Sequence, residues 1–288
     1  MAYASLGVRL RLGDAVRQTL DRFRWLPLVM APLCLFCACS SVHSATGQGV
    51  SGHALLDRRQ GARTARLLGE DEPAARVRKR IGRSVDGRSL WAYRRGDPDS
   101  VESILVVGCV HGDEPAGIAV AQLVIRSRPA GDANIWILPD LNPDGVAANT
   151  RQNARGVDLN RNFPYAWRRL GARGTRYYAG ASPLSEPESR AVARLIERVR
   201  PQVSIWFHQP YGVVDQSGGD VRIERRFSRL IGLPIQRLPR YPGSITGWEN
   251  RHLSDTTTAF VVELRPGEPE TATVQHYADA VLDFADGM

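Results

Sequence analysis

The sequence predicts an α/β fold in which helices cover both faces of a sheet. Short apolar runs recur from about residue 100 onwards, and they are continuous rather than alternating, as in strands buried on both faces. Between them lie segments with apolar residues three and four apart, the spacing of one helix face. The two kinds of segment alternate along the chain, the order that builds a sheet with helices on both sides.

Taken in order, Ser103-Ile-Leu-Val-Val-Gly108 is the first buried strand. A helix opens at Pro115 and runs through Ile118, Leu123 and Val124, with Asp113 placed to cap its first turn. Asn134-Ile-Trp-Ile-Leu138 is a second buried strand. Ser185-Glu-Pro-Glu188 has the form of a capping box, ahead of a helix with Val192, Leu195, Ile196 and Val199 on one face. Gln202 to Phe207 and Ala259 to Leu264 are further strands, and a final helix carries Val274, Tyr277, Val281 and Phe284.

The residues before this region read differently. Arg22 and Arg24 precede an apolar run from Trp25 to Ala38, shorter than the roughly 20 residues a spanning helix needs. That is the layout of a signal-peptide core behind a basic segment. Phe36-Cys-Ala-Cys39 resembles a lipobox, in which Cys39 would be lipidated. Residues 40–73 are rich in Gly, Ser, Ala and Arg without periodicity, as a tether is. The expected organisation is therefore a leader at 1–39, a tether at 40–73 and a folded domain at 74–288. The expected location is outside the cytoplasm, in the periplasm or cell envelope and anchored to a membrane; a misassigned start would leave the protein cytoplasmic.

The net charge of +8 does not mark a nucleic-acid binder. Lys79 is the only lysine, and apart from Arg76-Val-Arg-Lys-Arg80 the arginines are scattered and not interleaved with aromatics. Cys34, Cys37 and Cys39 crowd one apolar segment and Cys109 stands in a strand, so there is no disulfide framework.

Chemistry concentrates at predicted strand ends, where open α/β sheets place their sites. His111-Gly-Asp-Glu114 follows the first strand, with a strand-to-helix turn that can aim both side chains at one ion. His208 ends another strand, and Glu263 lies in Phe260-Val-Val-Glu263-Leu264. Two histidines and a carboxylate make a three-ligand metal site with a position open for water, the form of a catalytic zinc. A further carboxylate outside the metal shell could take a proton from that water. Imidazole and carboxylate also suit iron, cobalt or nickel. His43, His53, His252 and His276 need no function.

Between Asn142 and Pro164 the chain reads Asn142-Pro-Asp-Gly145, then Arg151-Gln-Asn-Ala-Arg155-Gly-Val-Asp158-Leu-Asn160-Arg161-Asn-Phe-Pro164. With His-Gly-Asp-Glu and the upstream Gly82-Arg-Ser-Val-Asp-Gly-Arg88, this resembles the zinc metallocarboxypeptidase family, and within it the murein peptide amidase A group. The resemblance implies a mixed, mostly parallel eight-stranded sheet, helices on both faces and one zinc ion. It implies His111, Glu114 and His208 as metal ligands and Glu263 as general base. Asn160 and Arg161 would form a clamp for a substrate carboxylate, and Arg151 would stabilise the oxyanion, with Arg155 the alternative for that role. Digestive members carry a tyrosine ahead of the Gly-Ser-Ile segment; here Tyr241 lies too close to Ser244 to match, a departure that favours the amidase group. The implied substrate is the γ-D-glutamyl to meso-diaminopimelate bond of cell-wall muropeptides, acted on by a monomer. Asp215 could bind the distal amine of that substrate, and Tyr211 could line the same pocket. Three rivals remain open: a carboxypeptidase acting on L-peptides, an N-acyl amino acid deacylase resembling the aspartoacylase and succinylglutamate desuccinylase group, and a non-catalytic wall-binding lipoprotein.

Overall fold

The computed structural model of the protein describes residues 77–127, 131–253 and 257–288. The leader at 1–39 with Cys39, the tether at 40–73 and the first residues of the domain at 74–288 lie outside the described residues. Eight strands appear among the described residues: β1 (Val77–Arg83), β2 (Ser89–Arg95), β3 (Ser103–Val107), β4 (Asn134–Leu138), β5 (Val203–His208), β6 (Val213–Asp215), β7 (Ile235–Gln236) and β8 (Thr258–Glu263). They form one sheet in the order β1-β2-β4-β3-β5-β8-β6-β7. The central strands β4, β3, β5 and β8 are parallel, while β1, β2 and β6 join antiparallel. This is the mixed eight-stranded α/β sheet that the resemblance implies.

Every residue of β3, β5 and β8 is buried, because successive side chains of a strand enter opposite faces and both faces are covered. Ile104, Val106, Ile205, Phe207, Phe260 and Val262 enter one core beneath the helices α1 (Ala116–Arg126), α4 (Val221–Ile231) and α6 (Thr271–Ala285). Leu105, Val107, Trp206 and Val261 enter a second core with α3 (Pro187–Val199) and α5 (Ile245–His252). The short α2 (Pro143–Ala148) belongs to the functional region.

Two expected caps are not found. Pro115, not Asp113, stands at the N-cap of α1, without a side-chain bond. The Ser185 capping box does not form either: α3 starts at Pro187, with Glu186 in the N-cap position. Proline suits the first helical position because it has no N–H to satisfy. Both acidic side chains are drawn elsewhere, since Asn153 Nδ2 donates to Glu186 Oε2 at 2.9 Å and to Glu188 Oε2 at 3.2 Å. Ser185 Oγ donates instead to Glu186 Oε1 at 2.7 Å. The described part of the basic run, Arg78 to Arg80, lies on β1 at the sheet's edge, where charge blocks further strand pairing. There Arg78 Cζ lies 3.7 Å from the centre of the Trp91 ring.

Glu249 of α5 is fully buried in the second core's layer, accepting from Ser204 Oγ and, at 3.1 Å, from Trp206 Nε1. Burial pushes its carboxyl from 4.5 up to about 7. The folded state therefore keeps a proton that the unfolded chain releases. Stability from this group is full below about pH 4.5 and is lost as the pH rises through about 7. Glu249→Gln removes that loss while keeping both hydrogen-bond partners. Urea unfolding should show the variant about 3 kcal/mol more stable than wild type near pH 8 and no more stable near pH 4.

Candidate active site

β5 and β8 end side by side, and their last residues, His208 and Glu263, are register partners. One strand further across the sheet, β3 ends at Val107 and the chain runs on to His111. The turn at His111 depends on close backbone approach: a Cβ on Gly112 would fall 1.9 Å from the carbonyl carbon of Gly145. Only glycine allows the His-Gly-Asp-Glu turn to abut the Asn-Pro-Asp-Gly turn. Asn142 caps α2 through Gly145 N at 3.0 Å, and its Nδ2 donates to Arg151 O at 3.2 Å, holding the loop that presents Arg151. Asp144 accepts from Ser84 Oγ at 2.8 Å and Asp86 N at 2.9 Å, so the segment from Gly82 to Arg88 is tied to the same unit.

Three donor atoms converge there. Glu114 Oε2 lies 2.9 Å from His111 Nδ1 and 2.9 Å from His208 Nδ1, and the two nitrogens are 3.0 Å apart. Two imidazole nitrogens this close cannot both carry a proton, and a cation between them and the carboxylate resolves the conflict. Two nitrogens and one carboxylate oxygen suit zinc with a position left open. His111 Nε2 faces Asp158 Oδ1 at 3.1 Å, which fixes the tautomer that leaves Nδ1 free to ligate. Burial depresses the His208 pKa and keeps it neutral, as a ligand must be. At His111 burial acts the same way, but Glu114 and Asp158 outweigh it and raise the pKa. Proton and metal therefore compete for His111, and metal affinity should rise with pH.

Asp158, given no role from sequence, is the acceptor that orients His111. It is fully buried, and although burial would raise its pKa, His111 and Arg151 hold it well below the ordinary carboxylate range. Asp158→Asn weakens the orienting bond without a large change in volume. Zinc affinity should fall about 10- to 100-fold, read by chelator competition; unchanged affinity would remove Asp158 from this role.

Arg151 donates from Nε to Asp158 Oδ2 at 2.9 Å and from Nη1 to Glu114 Oε1 at 3.0 Å, and it lines the pocket over the metal cluster. Arg155 is not brought there: its side chain is about half exposed and its nearest acid is Glu186 at 3.7 Å. Arg161 is buried beneath two tyrosines, with Cζ 4.3 Å from the Tyr241 ring centre and 5.6 Å from that of Tyr177. Asn160 Oδ1 accepts from Ile245 N at 3.0 Å, which leaves its Nδ2 as the donor. Tyr241 thus stands at the pocket in spite of its short spacing from Ser244, and Tyr177, a residue that the sequence reading passed over, joins it from the loop after Arg161.

Glu263 lines the same pocket beside His208. Its Oε2 is buried and has no hydrogen-bond partner among the described residues, and burial, with Glu114 nearby, lifts its pKa to about 7. Tyr211 stands exposed at the rim. Asp215 reaches the pocket, but it is buried rather than loop-exposed, and its Oδ2 already pairs with Arg240 Nη1 at 2.7 Å. An ammonium group would have to displace that guanidinium, so the structure does not support Asp215 as an amine receptor. Together these residues enclose about 410 Å³. The arrangement offers a metal cluster, an unpaired carboxylate oxygen, one guanidinium beside the cluster and another beneath two tyrosines.

Comparison with known proteins agrees with this geometry. A family model described as zinc carboxypeptidase matches residues 63–214. Murein peptide amidase A of Vibrio campbellii is 32% identical over 217 residues, covering 70% of this chain and 84% of the relative. The protein of that name from Escherichia coli K12 is 30% identical over 180 residues, covering 58% and 74%. The crystal structure of murein-tripeptide amidase MpaA from Escherichia coli O157 superposes with a TM-score of 0.62 at 26% identity, covering 76% of this chain and 94% of that one.

Proposed function

Because the chain belongs to the zinc carboxypeptidase family and is thereby a zinc metallopeptidase, we propose that it is a murein peptide amidase. The bond it would cleave joins γ-D-glutamate to meso-diaminopimelate, next to a free carboxylate. The observation that carries the catalytic reading is Glu263 Oε2, a buried carboxylate oxygen without a partner beside the His111, Glu114 and His208 cluster. The names of the relatives carry the choice of substrate.

Arg161 grips the carboxylate of the departing residue in a bidentate fork, and Asn160 Nδ2 donates beside it. This seats the scissile carbonyl between the metal cluster and Arg151. Zinc held by His111, Glu114 and His208 would polarise that carbonyl and acidify a water beside it. Glu263 accepts the proton of the attacking water and delivers it to the departing nitrogen as the C–N bond breaks. Arg151 stabilises the charge that builds on the carbonyl oxygen.

The test uses the full chain, loaded with zinc and incubated with L-Ala-γ-D-Glu-meso-diaminopimelate. Release of free diaminopimelate, followed by mass spectrometry, is the expected result. Absence of release together with removal of ordinary C-terminal L-residues would replace the amidase reading with a general carboxypeptidase.

A further inference from the structure

The pocket that holds Arg161 is also lined by Arg176 and Arg240, to which the catalytic steps assign no part; Arg176 is exposed, whereas Arg240 is held in place. Arg240 lines the pocket together with Gln236, Leu238 and Tyr241. Its Nη1 is anchored on Asp215 Oδ2, leaving Nε and Nη2 without an acceptor among the described residues and the side chain 29% exposed. Asp215 is itself held on both oxygens: Oδ1 accepts from Leu238 N at 2.8 Å, and Oδ2 also accepts from Ser217 Oγ at 2.7 Å. The Leu238 bond fixes the backbone two residues before Arg240, so one carboxylate sets both the guanidinium and the segment that carries it. Tyr241, the next residue, covers Arg161. Arg161 and Arg240 thus line one pocket, the first beneath Tyr241 and the second held on Asp215.

We propose that Arg240 receives a second substrate carboxylate, at the end of the side chain of the residue whose main-chain carboxylate Arg161 holds. The pocket then selects a dicarboxylic terminal residue, with Asp215 as the positioning residue. The inference rests on the amidase reading and deepens it. Diaminopimelate carries a distal carboxylate where lysine, with a side chain of the same length, has only hydrogen. A fixed guanidinium with two free donors distinguishes these two, because charge-assisted hydrogen bonds form with one and not with the other.

The experiment compares kcat/KM for L-Ala-γ-D-Glu-meso-diaminopimelate and L-Ala-γ-D-Glu-L-Lys, in wild type, Arg240→Gln and Asp215→Asn. A second pair of ordinary dipeptide substrates ends in L-2-aminopimelate, whose distal carboxylate lies as far out as that of diaminopimelate, or in L-norleucine. Zinc content and thermal melting confirm that each variant is folded and loaded. Wild type should favour the acidic member by about 10- to 100-fold, chiefly through KM. Arg240→Gln should bring the ratio close to one, and Asp215→Asn should lower it by the same KM route. If the tripeptides are untouched but the L-2-aminopimelate substrate is preferred through Arg240, the amidase reading fails and this one stands. If no substrate turns over, calorimetric binding of meso-diaminopimelate against L-lysine gives the same ratio. A wild type indifferent to the distal carboxylate, or a preference that survives in Arg240→Gln, overturns the proposal.

Discussion

Glu263→Gln should lower kcat by about 10²- to 10⁴-fold while zinc stays bound, the contribution of a positioned general base, since the other carboxylates lining the pocket are engaged, Glu114 in the metal cluster and Asp215 with Arg240. Glutamine fills the same volume, and Oε2 has no partner to lose. The three donor atoms of the metal cluster come from other residues, so metal content is the control that separates a lost base from a lost site. The pH profile supplies a second readout. Burial, then Glu114, lifts the Glu263 carboxyl from 4.5 to about 7, and below its pKa the group holds a proton and cannot accept another. kcat/KM of wild type should fall about tenfold per pH unit on this limb. A cation at the cluster favours the carboxylate, so the midpoint lies at or below about 7. Residual Glu263→Gln activity should lack the limb. The same raised pKa costs stability above it, because the folded form must give up a proton that the unfolded chain has already lost by about pH 4.5. The variant should therefore melt higher than wild type in alkaline buffer. A variant with wild-type kcat would remove Glu263 from the reaction.

The parts legible in the sequence are those that burial writes into it. β3, β5 and β8 are buried at every residue, so they read as apolar runs, and the sites at their ends could be located from them. β1 is mostly exposed and charged and gives no such run. α4 is rich in arginine, yet Ile223, Phe227, Leu230 and Ile231 keep the three-and-four spacing of one face, so its periodicity was legible and was passed over. Ser185 carried a false signal because a capping box read as letters takes no account of Pro187 or of Asn153, which claims the acidic side chains from more than 30 residues away. Asp158 stood inside the quoted motif; a carboxylate two residues before Asn160 was the available clue, but its contact with His111 spans 47 positions. The Asp215–Arg240 pair spans 25 positions and follows no local spacing at all.

The choice between Arg151 and Arg155, open in the sequence, becomes a quantitative test. Two acids hold Arg151, with Nε on Asp158 and Nη1 on Glu114, so its guanidinium is fixed before substrate arrives. A donor organised in that way acts mainly on the charge of the transition state, and removing one such donor costs roughly 3 to 4 kcal/mol. Arg151→Ala should therefore lower kcat by about 10²- to 10³-fold with a smaller change in KM, the mark of an interaction made in the transition state. Arg151→Lys should recover little, because one ammonium cannot hold Asp158 and face the carbonyl oxygen together. Arg155→Ala should stay within about twofold of wild type, since its half-exposed side chain does not line the pocket and reaches Glu186 only at 3.7 Å. Zinc affinity separates this role from simple damage to the site. Arg151 places positive charge beside His111 and Glu114, which opposes a cation, so its removal should leave zinc bound at least as tightly. Loss of zinc in Arg151→Ala, or a larger fall in Arg155→Ala, would reverse the assignment.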